Sequence, residues 1–419
     1  MNLNCRITRT VCAWMAMLSL LGLGGHALAG DVAADDVAVL KKMLGSVEAW
    51  DSKGKTKFDS DFAASLESQS KKLSDPALQT KARELTAELE KAGLLRSRVM
   101  EIVAKTKDAK GTTRLANGGP QWLRDIVGDE AMRVFDRLTG VDLNDRQSPH
   151  DKTYKRNENL NDEWLGILKD LPDLTSLDIA NTGMKGTGLE VVGTLKNLES
   201  LNLTLTPITD QYLEPLKSLT KLRILGLASA QCNGEGFRFF GNLKQLENAN
   251  FHYTPVNDAG LAGISNVPSL TRLEIVHTHF TDAGAPALAA LVNMERLQIG
   301  SLKATGAAIA QLSAMTKLRE LDLHDGQANL EGVTHASKIA TLRVLRVYGT
   351  IKDAGAEQIA KLKNLELLIL ASNSEITDAG LAHLAALSQL KKLDIKGCKV
   401  SDGAVDKLKQ GIPGLEVIR

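Results

Sequence analysis

The stretch SEITDAGLAHLAALSQLKKLDIKGCKVSDGAV, residues 374–405, states one pattern twice. Ile376-Thr377-Asp378-Ala379-Gly380-Leu381 returns as Val400-Ser401-Asp402-Gly403-Ala404-Val405, with Leu390-Lys391-Lys392-Leu393-Asp394-Ile395 between the copies. A hydroxyl residue followed by an acid is a helix-start signal. The hydroxyl caps free backbone N–H groups and the acid meets the positive end of the helix dipole. The alternating piece between the copies reads as a short strand with one buried face. The chain therefore reads strand, turn, helix, and then begins again.

Working outward from this stretch, an L-x-x-L-x-L string opens at Leu174, Leu198, Leu222, Leu246, Leu270, Met294, Leu318 and Leu342, each 24 residues after the last. Further strings open at Leu365, Leu390 and Leu415, with spacings of 23, 25 and 25. A small polar residue suited to a turn follows seven of these strings (Thr182, Thr206, Thr254, Thr278, Thr350, Asn373, Cys398), and then an inward hydrophobe such as Ile208, Val256, Phe280 or Ile376. One strand and one short helix cannot bury their apolar faces alone. Stacked copies can, with the strands in one parallel sheet and the helices outside it. The expected class is α/β, a solenoid.

The unit resembles a leucine-rich repeat over residues 138–419. Its I-T-D-x-G-L variant is similar to repeats of secreted or envelope-associated bacterial proteins and to the cysteine-containing repeats attached to F-box proteins. No F-box-like segment is evident. The resemblance implies a horseshoe of about 12 rungs and an interaction role. Leu138-Thr139-Gly140-Val141-Asp142-Leu143 fits a first rung, and the 36 residues from Leu138 to Leu174 place a 12-residue insertion within 144–159. The segment 118–137, centred on Trp122 to Phe135, reads as an amphipathic helix capping that rung. Residues 30–117 read as three or four helices, either a small bundle or an extended stalk, with a linker at Lys105–Pro120. Asp75 and Pro76 suit the cap and first position of one helix.

Residues 1–29 are of another kind. Arg6 and Arg9 precede an apolar run from Val11 to Leu23, and Ala27-Leu28-Ala29 is a small-residue cleavage site. This order is that of a Sec signal peptide cleaved before Gly30, which implies export to the periplasm, the envelope or the medium. Without Arg6 and Arg9, the 51 basic residues become 49 against 50 acids, a balance giving no electrostatic reason to expect nucleic acid as partner. No later segment is apolar enough to span a membrane. Cys232 and Cys398 lie seven rungs apart, over about 30 Å at the strand spacing, so they are expected as buried free thiols.

Motifs of enzyme chemistry are missing from the sequence: no G-x-x-x-x-G-K-[ST], H-E-x-x-H or G-x-S-x-G occurs. Gly183-Met184-Lys185-Gly186-Thr187-Gly188 follows a repeat strand and reads as a structural turn. Function is expected on the concave face, at the third, fifth and seventh positions of each string. Arg272, Glu274, Arg296, Glu320, Asp322, His324, Arg346 and Tyr348 crowd its middle rungs. They read either as a solvated ladder of opposite charges, each pair contributing about 0–1 kcal/mol, or as a recognition surface. Val344, Leu367 and Ile369 are apolar where other rungs hold Ser, Asn, Arg, Glu or Asp. They read as a partner contact, or else as a patch covered by the N-terminal helices. His252 and His324 are three rungs apart, roughly 14 Å, too far to share a metal. No metal, cofactor or catalysis is expected. The leading reading is a monomeric, exported scaffold that binds an unknown protein. The alternatives are a cell-envelope or carbohydrate binder and a hydrolase using Glu320 and Asp322.

Overall fold

The structure, a computed structural model, describes residues 32–50, 57–144 and 160–419. Residues 1–29, read above as a signal peptide, and residues 145–159 of the expected insertion lie outside the described residues. The chain divides into two compact units, one running to Lys105 and including Thr113–Thr139, the other formed by Thr106–Thr112 and Gly140–Arg419.

The first unit is helical. Helices Ala34–Glu48, Ser60–Ser70 and Pro76–Glu84 precede the long helix Thr86–Asp108. The Asp75 side chain accepts from the Ala77 N–H with Pro76 at the first helical position, as the sequence led us to expect. Leu40, Met43, Leu44, Leu66 and Leu89 form a buried core in which Leu123, Met132, Val134 and Phe135 also sit. The segment read as one capping helix is broken in two. The helix Gln121–Val127 ends at Gly128, whose φ of 81° a side chain would disfavour, and a 3-10 turn spans Glu130–Phe135. The stretch read as a linker carries the end of the long helix and a strand, Thr112–Ala116.

Among the described residues, thirteen strands follow one another in sequence order in one sheet. The strand Thr112–Ala116 is the one that no leucine string announces. Neighbours from Arg137–Asp142 onward pair parallel, with Leu177, Leu201, Leu225, Ala249 and Leu273 in register. Alternation sends the fourth and sixth positions inward, where they are fully buried. The outer elements are mixed. Asp258–Ser265 and Asp402–Gly411 are α-helical, whereas Glu235–Asn242 and Gly306–Ala314 are 3-10 helices.

Four acids at the starts of outer elements do more than meet a helix dipole. Asp258, Asp282, Asp353 and Asp378 each accept from both the N–H and the hydroxyl of the Thr or Ser one rung on (Thr281, Thr305, Thr377, Ser401), at 2.6–2.9 Å. The Gly183–Gly188 turn is held the same way, since the Asp162 carboxylate accepts from the N–H groups of Lys185, Gly186 and Gly188. These carboxylates tie rung to rung. Donation from the Ser401 backbone holds the Asp378 carboxyl below its ordinary range, and Ser74 does the same to the buried Asp36 of the first unit. A carboxyl whose pKa is depressed in the folded chain stabilises above its unfolded value and loses that contribution as pH falls through its folded one. Thermal melts between about pH 5 and pH 3 are therefore expected to show falling Tm, with a smaller fall in Asp378→Asn. An equal fall in the variant would remove Asp378 from the account.

Cys232 and Cys398 are both free. Cys232 is buried, and its thiol donates to the Ile208 carbonyl at 3.3 Å. Cys398 departs from the expected burial. It is half-exposed, and partial burial pushes its thiol up to about 11.

Candidate functional site

On the face of the sheet away from the outer helices, the charges of the middle rungs form one network. Arg346 Nη1 donates to Asp322 Oδ1 at 2.8 Å and lies 3.7 Å from Glu320, which lies 3.7 Å from Arg296. Asp322 was expected to face water. It is only 3 % exposed, and burial raises its pKa against the pull of Arg346. Burial raises Glu274 as well, and Arg272 is exposed. Glu320 and Asp322 thus both lie within 3.7 Å of one guanidinium, which hydrogen-bonds to Asp322 alone.

Beside this network the apolar trio lies in adjacent register: Val344 opposite Leu367, and Arg346 opposite Ile369. All three are half-buried. The most exposed aliphatic side chain in these columns is instead Ile224, at 48 %.

The seventh column needs a correction. Ala180, Ala228 and Val276 are buried, whereas His252, His324 and Tyr348 reach solvent. The eighth position holds what the sequence reading missed. Rung after rung it takes a left-handed backbone: Asn181, Leu205, Ser229, Tyr253, His277, Asp325 and Ser372 all have φ between 47° and 68°. That turn swings the eighth side chain onto the rim occupied by the seventh. Bulky residues tolerate it only at a cost of about 1–2 kcal/mol. Here backbone bonds hold them, with Tyr253 N donating to Val276 O and His277 N to Asp325 Oδ2. The signal available in the sequence was the Asn, Ser, Asp and Gly at this position on other rungs.

The outcome is a row of rings across the middle rungs. Tyr253 stacks on His277 at 4.4 Å, His252 meets both, His277 lies 6.4 Å from His324, and His324 stacks on Tyr348 at 4.5 Å. His252 and His324, too distant to meet directly, are joined by His277. Gly300 makes this joint. The sheet register shifts between Ile275 and Thr278, so Gly300 falls beneath the row. A Cβ there would stand 2.6 Å from Asp325 Oδ2. Its absence lets Asp325 reach across an intervening rung to His277 Nδ1 at 2.8 Å. Burial lowers His252 and brings His324 down to about 4, so both rings are neutral at neutral pH. Among the described residues, no group of three His, Cys, Asp or Glu side chains is placed to hold a metal ion. None of their helices is long and apolar enough to cross a membrane.

A parallel sheet advancing one strand every 24 residues beneath short outer helices is built of leucine-rich repeats. A family profile described as "Leucine Rich repeat" matches residues 268–289, the Leu270 strand and the turn and helix start after it. No curated protein matches the chain. Among solved structures the chain is similar to an internalin (inlF) from Listeria monocytogenes, at 18 % identity over 60 % of this chain and 75 % of that one, TM-score 0.46. An internalin C2 (inlC2) from the same organism aligns at 22 % identity over 57 % of this chain and 84 % of that one, TM-score 0.34. The mouse RP105/MD-1 complex aligns at 17 % over 58 % of this chain but 43 % of that one, TM-score 0.42. The repeat assignment rests on the chain's own sheet register and not on these likenesses.

Proposed function

We propose that this chain is an exported, non-catalytic scaffold that binds a protein partner across the concave face of its repeat array. The contact is assigned to Val344, Arg346, Tyr348, Leu367 and Ile369, flanked by His324, Glu320, Asp322, Arg296, Glu274 and Arg272. The observation that supports this most is the continuity of the surface. Exposed Tyr348 joins the ring row on one side and the Arg346–Asp322 pair and apolar trio on the other. Tyr and Arg beside half-buried aliphatics are the residue types that dominate contact energies. The stacking also favours a protein over a glycan. Sugar platforms need free ring faces, whereas His277 and His324 each have a face taken by a tyrosine, 4.4 and 4.5 Å away.

The reading is tested by a photo-crosslinking amino acid placed at Tyr348, with Lys407 on the outer helix as control, in cells that make the full chain. One discrete adduct from position 348 and none from 407 is the expected result. Equal labelling at both positions, or none at 348, removes the concave face as the contact.

A further inference from the structure

The edge of the sheet where the strands begin carries a second, unrelated feature. The residue after the first leucine of each string forms a column of mostly alternating charge: Glu199, Arg223, Glu247, and later Glu295, Arg319, Arg343, Glu366, Lys391, Glu416. Successive members pair across rungs. Arg223 bonds Glu247 at 2.8 Å, and Glu366 takes both Arg343 and Lys391. Alternation fails once among the cations that have a neighbouring acid, where Arg319 and Arg343 are adjacent. Arg343 turns to Glu366. Arg319 is exposed, and among the described residues its side chain has no hydrogen bond or ion pair, not even with Glu295 one rung before.

A parallel pattern opens a recess at the same place. Lys221 Nζ donates to Asn197 Oδ1 one rung before, and Lys317 Nζ likewise donates to Asn293 Oδ1. On the next rung the lysine position holds Thr341, whose shorter side chain folds back to donate to the Leu318 carbonyl. Asn364 donates to the Ala340 carbonyl on the far side. The space so left has a volume of about 470 Å³ and is lined by Lys317, Arg319 and Arg343 with Thr316, Thr341 and Asn364, and by no carboxylate.

We propose that this recess binds a phosphate group carried by a larger ligand. Arg319 and Lys317, with Arg343 already paired to Glu366, leave the recess net positive, which attracts an anion, and the fork of Arg319 suits the oxygens of a phosphate better than an ammonium group does. The volume exceeds that of a bare ion, which leaves room for the group bearing the phosphate. The site does not depend on the concave-face reading, because it lies on the strand-entry edge and shares no residue with that face.

The test is calorimetric titration of the full chain at low salt with two probes, soluble glycerol 3-phosphate and phosphatidylglycerol vesicles, with phosphatidylcholine vesicles as control. Binding of the soluble probe assigns the site to free phosphoesters, and binding of the anionic vesicles alone assigns it to a lipid headgroup. Arg319→Ala is expected to weaken either by about ten-fold, the loss of one charge-assisted hydrogen bond, and Arg319→Glu to abolish it. Arg223→Ala, on the same column but paired with Glu247, should leave binding unchanged. Arg319 is exposed, so unaltered melting of its variants is expected to show that they fold. Absence of binding to both probes, or full binding by folded Arg319→Glu, overturns the proposal.

Discussion

Phe237→Ala is expected to destabilise the repeat array by about 3–5 kcal/mol, the range for emptying a buried phenylalanine site. Phe237 and Phe240 lie on the 3-10 helix Glu235–Asn242, and Phe251 on the strand side of the next rung. Their rings stand 4.8, 4.7 and 6.2 Å apart, and each is at most 1 % exposed. One period away, the place of Phe237 is held by Leu213 and Leu261, that of Phe240 by Leu216 and Ile264, and that of Phe251 by Leu227 and Ile275. The volume is balanced at Ala249, which stands in register with Leu225 and Leu273. Collapse around the vacancy is restricted, because a Cβ on Gly263 of the following helix would come within 2.8 Å of the Phe237 backbone, which shows how closely the two elements already approach.

Each rung of a solenoid is held by its neighbours alone, so the damage is local but divides the array. Urea unfolding of Phe237→Ala should show a lower midpoint and a broadened or two-step transition, where the unaltered chain shows a steeper one. A loss below about 1 kcal/mol, with the transition unchanged in steepness, would mean that the three rings do not form the joint described.

The second large effect concerns binding. Leu367→Asp combined with Ile369→Asp is expected to remove the crosslinked adduct formed from position 348 while leaving the melting temperature near its original value. Both side chains are half-buried and sit where other rungs carry Ser, Asn, Arg or Glu, so the sheet does not require hydrophobes there. Burying such side chains in a contact contributes a few kcal/mol at ~25 cal/mol per Å². Two carboxylates would both forfeit that term and bring uncompensated charge into the contact. Leu367 and Ile369 keep part of their surface in water, so carboxylates introduced there stay hydrated in the free chain and the rung is expected to remain folded. If the double variant unfolds, the patch is internal packing. If it folds and still yields the adduct, the contact lies elsewhere.

The repeat, its period, the parallel order of the strands and the inward places of Leu177, Leu201 and Leu225 were legible in the sequence. They depend on alternation and on spacing, which are properties of the chain read in order. The capping role of Asp75 was legible for the same reason, since a cap acts within one turn of helix. Other features arise between rungs, where residues about 24 or 48 apart meet and no local pattern records them. Asp378 was readable as a helix-start acid but not as a tie from rung to rung. The burial of Asp322 beneath Arg346 depends on a neighbour one rung away. The row from Tyr253 to Tyr348 depends on left-handed residues at Tyr253, His277 and Asp325, a register shift, and a glycine at position 300 that lets Asp325 cross a rung to His277. Strand periodicity could place side chains on a face. Only the stacking of rungs decided which of them touch, because that contact is set by the backbone turn at the strand end and by the volume of what lies between.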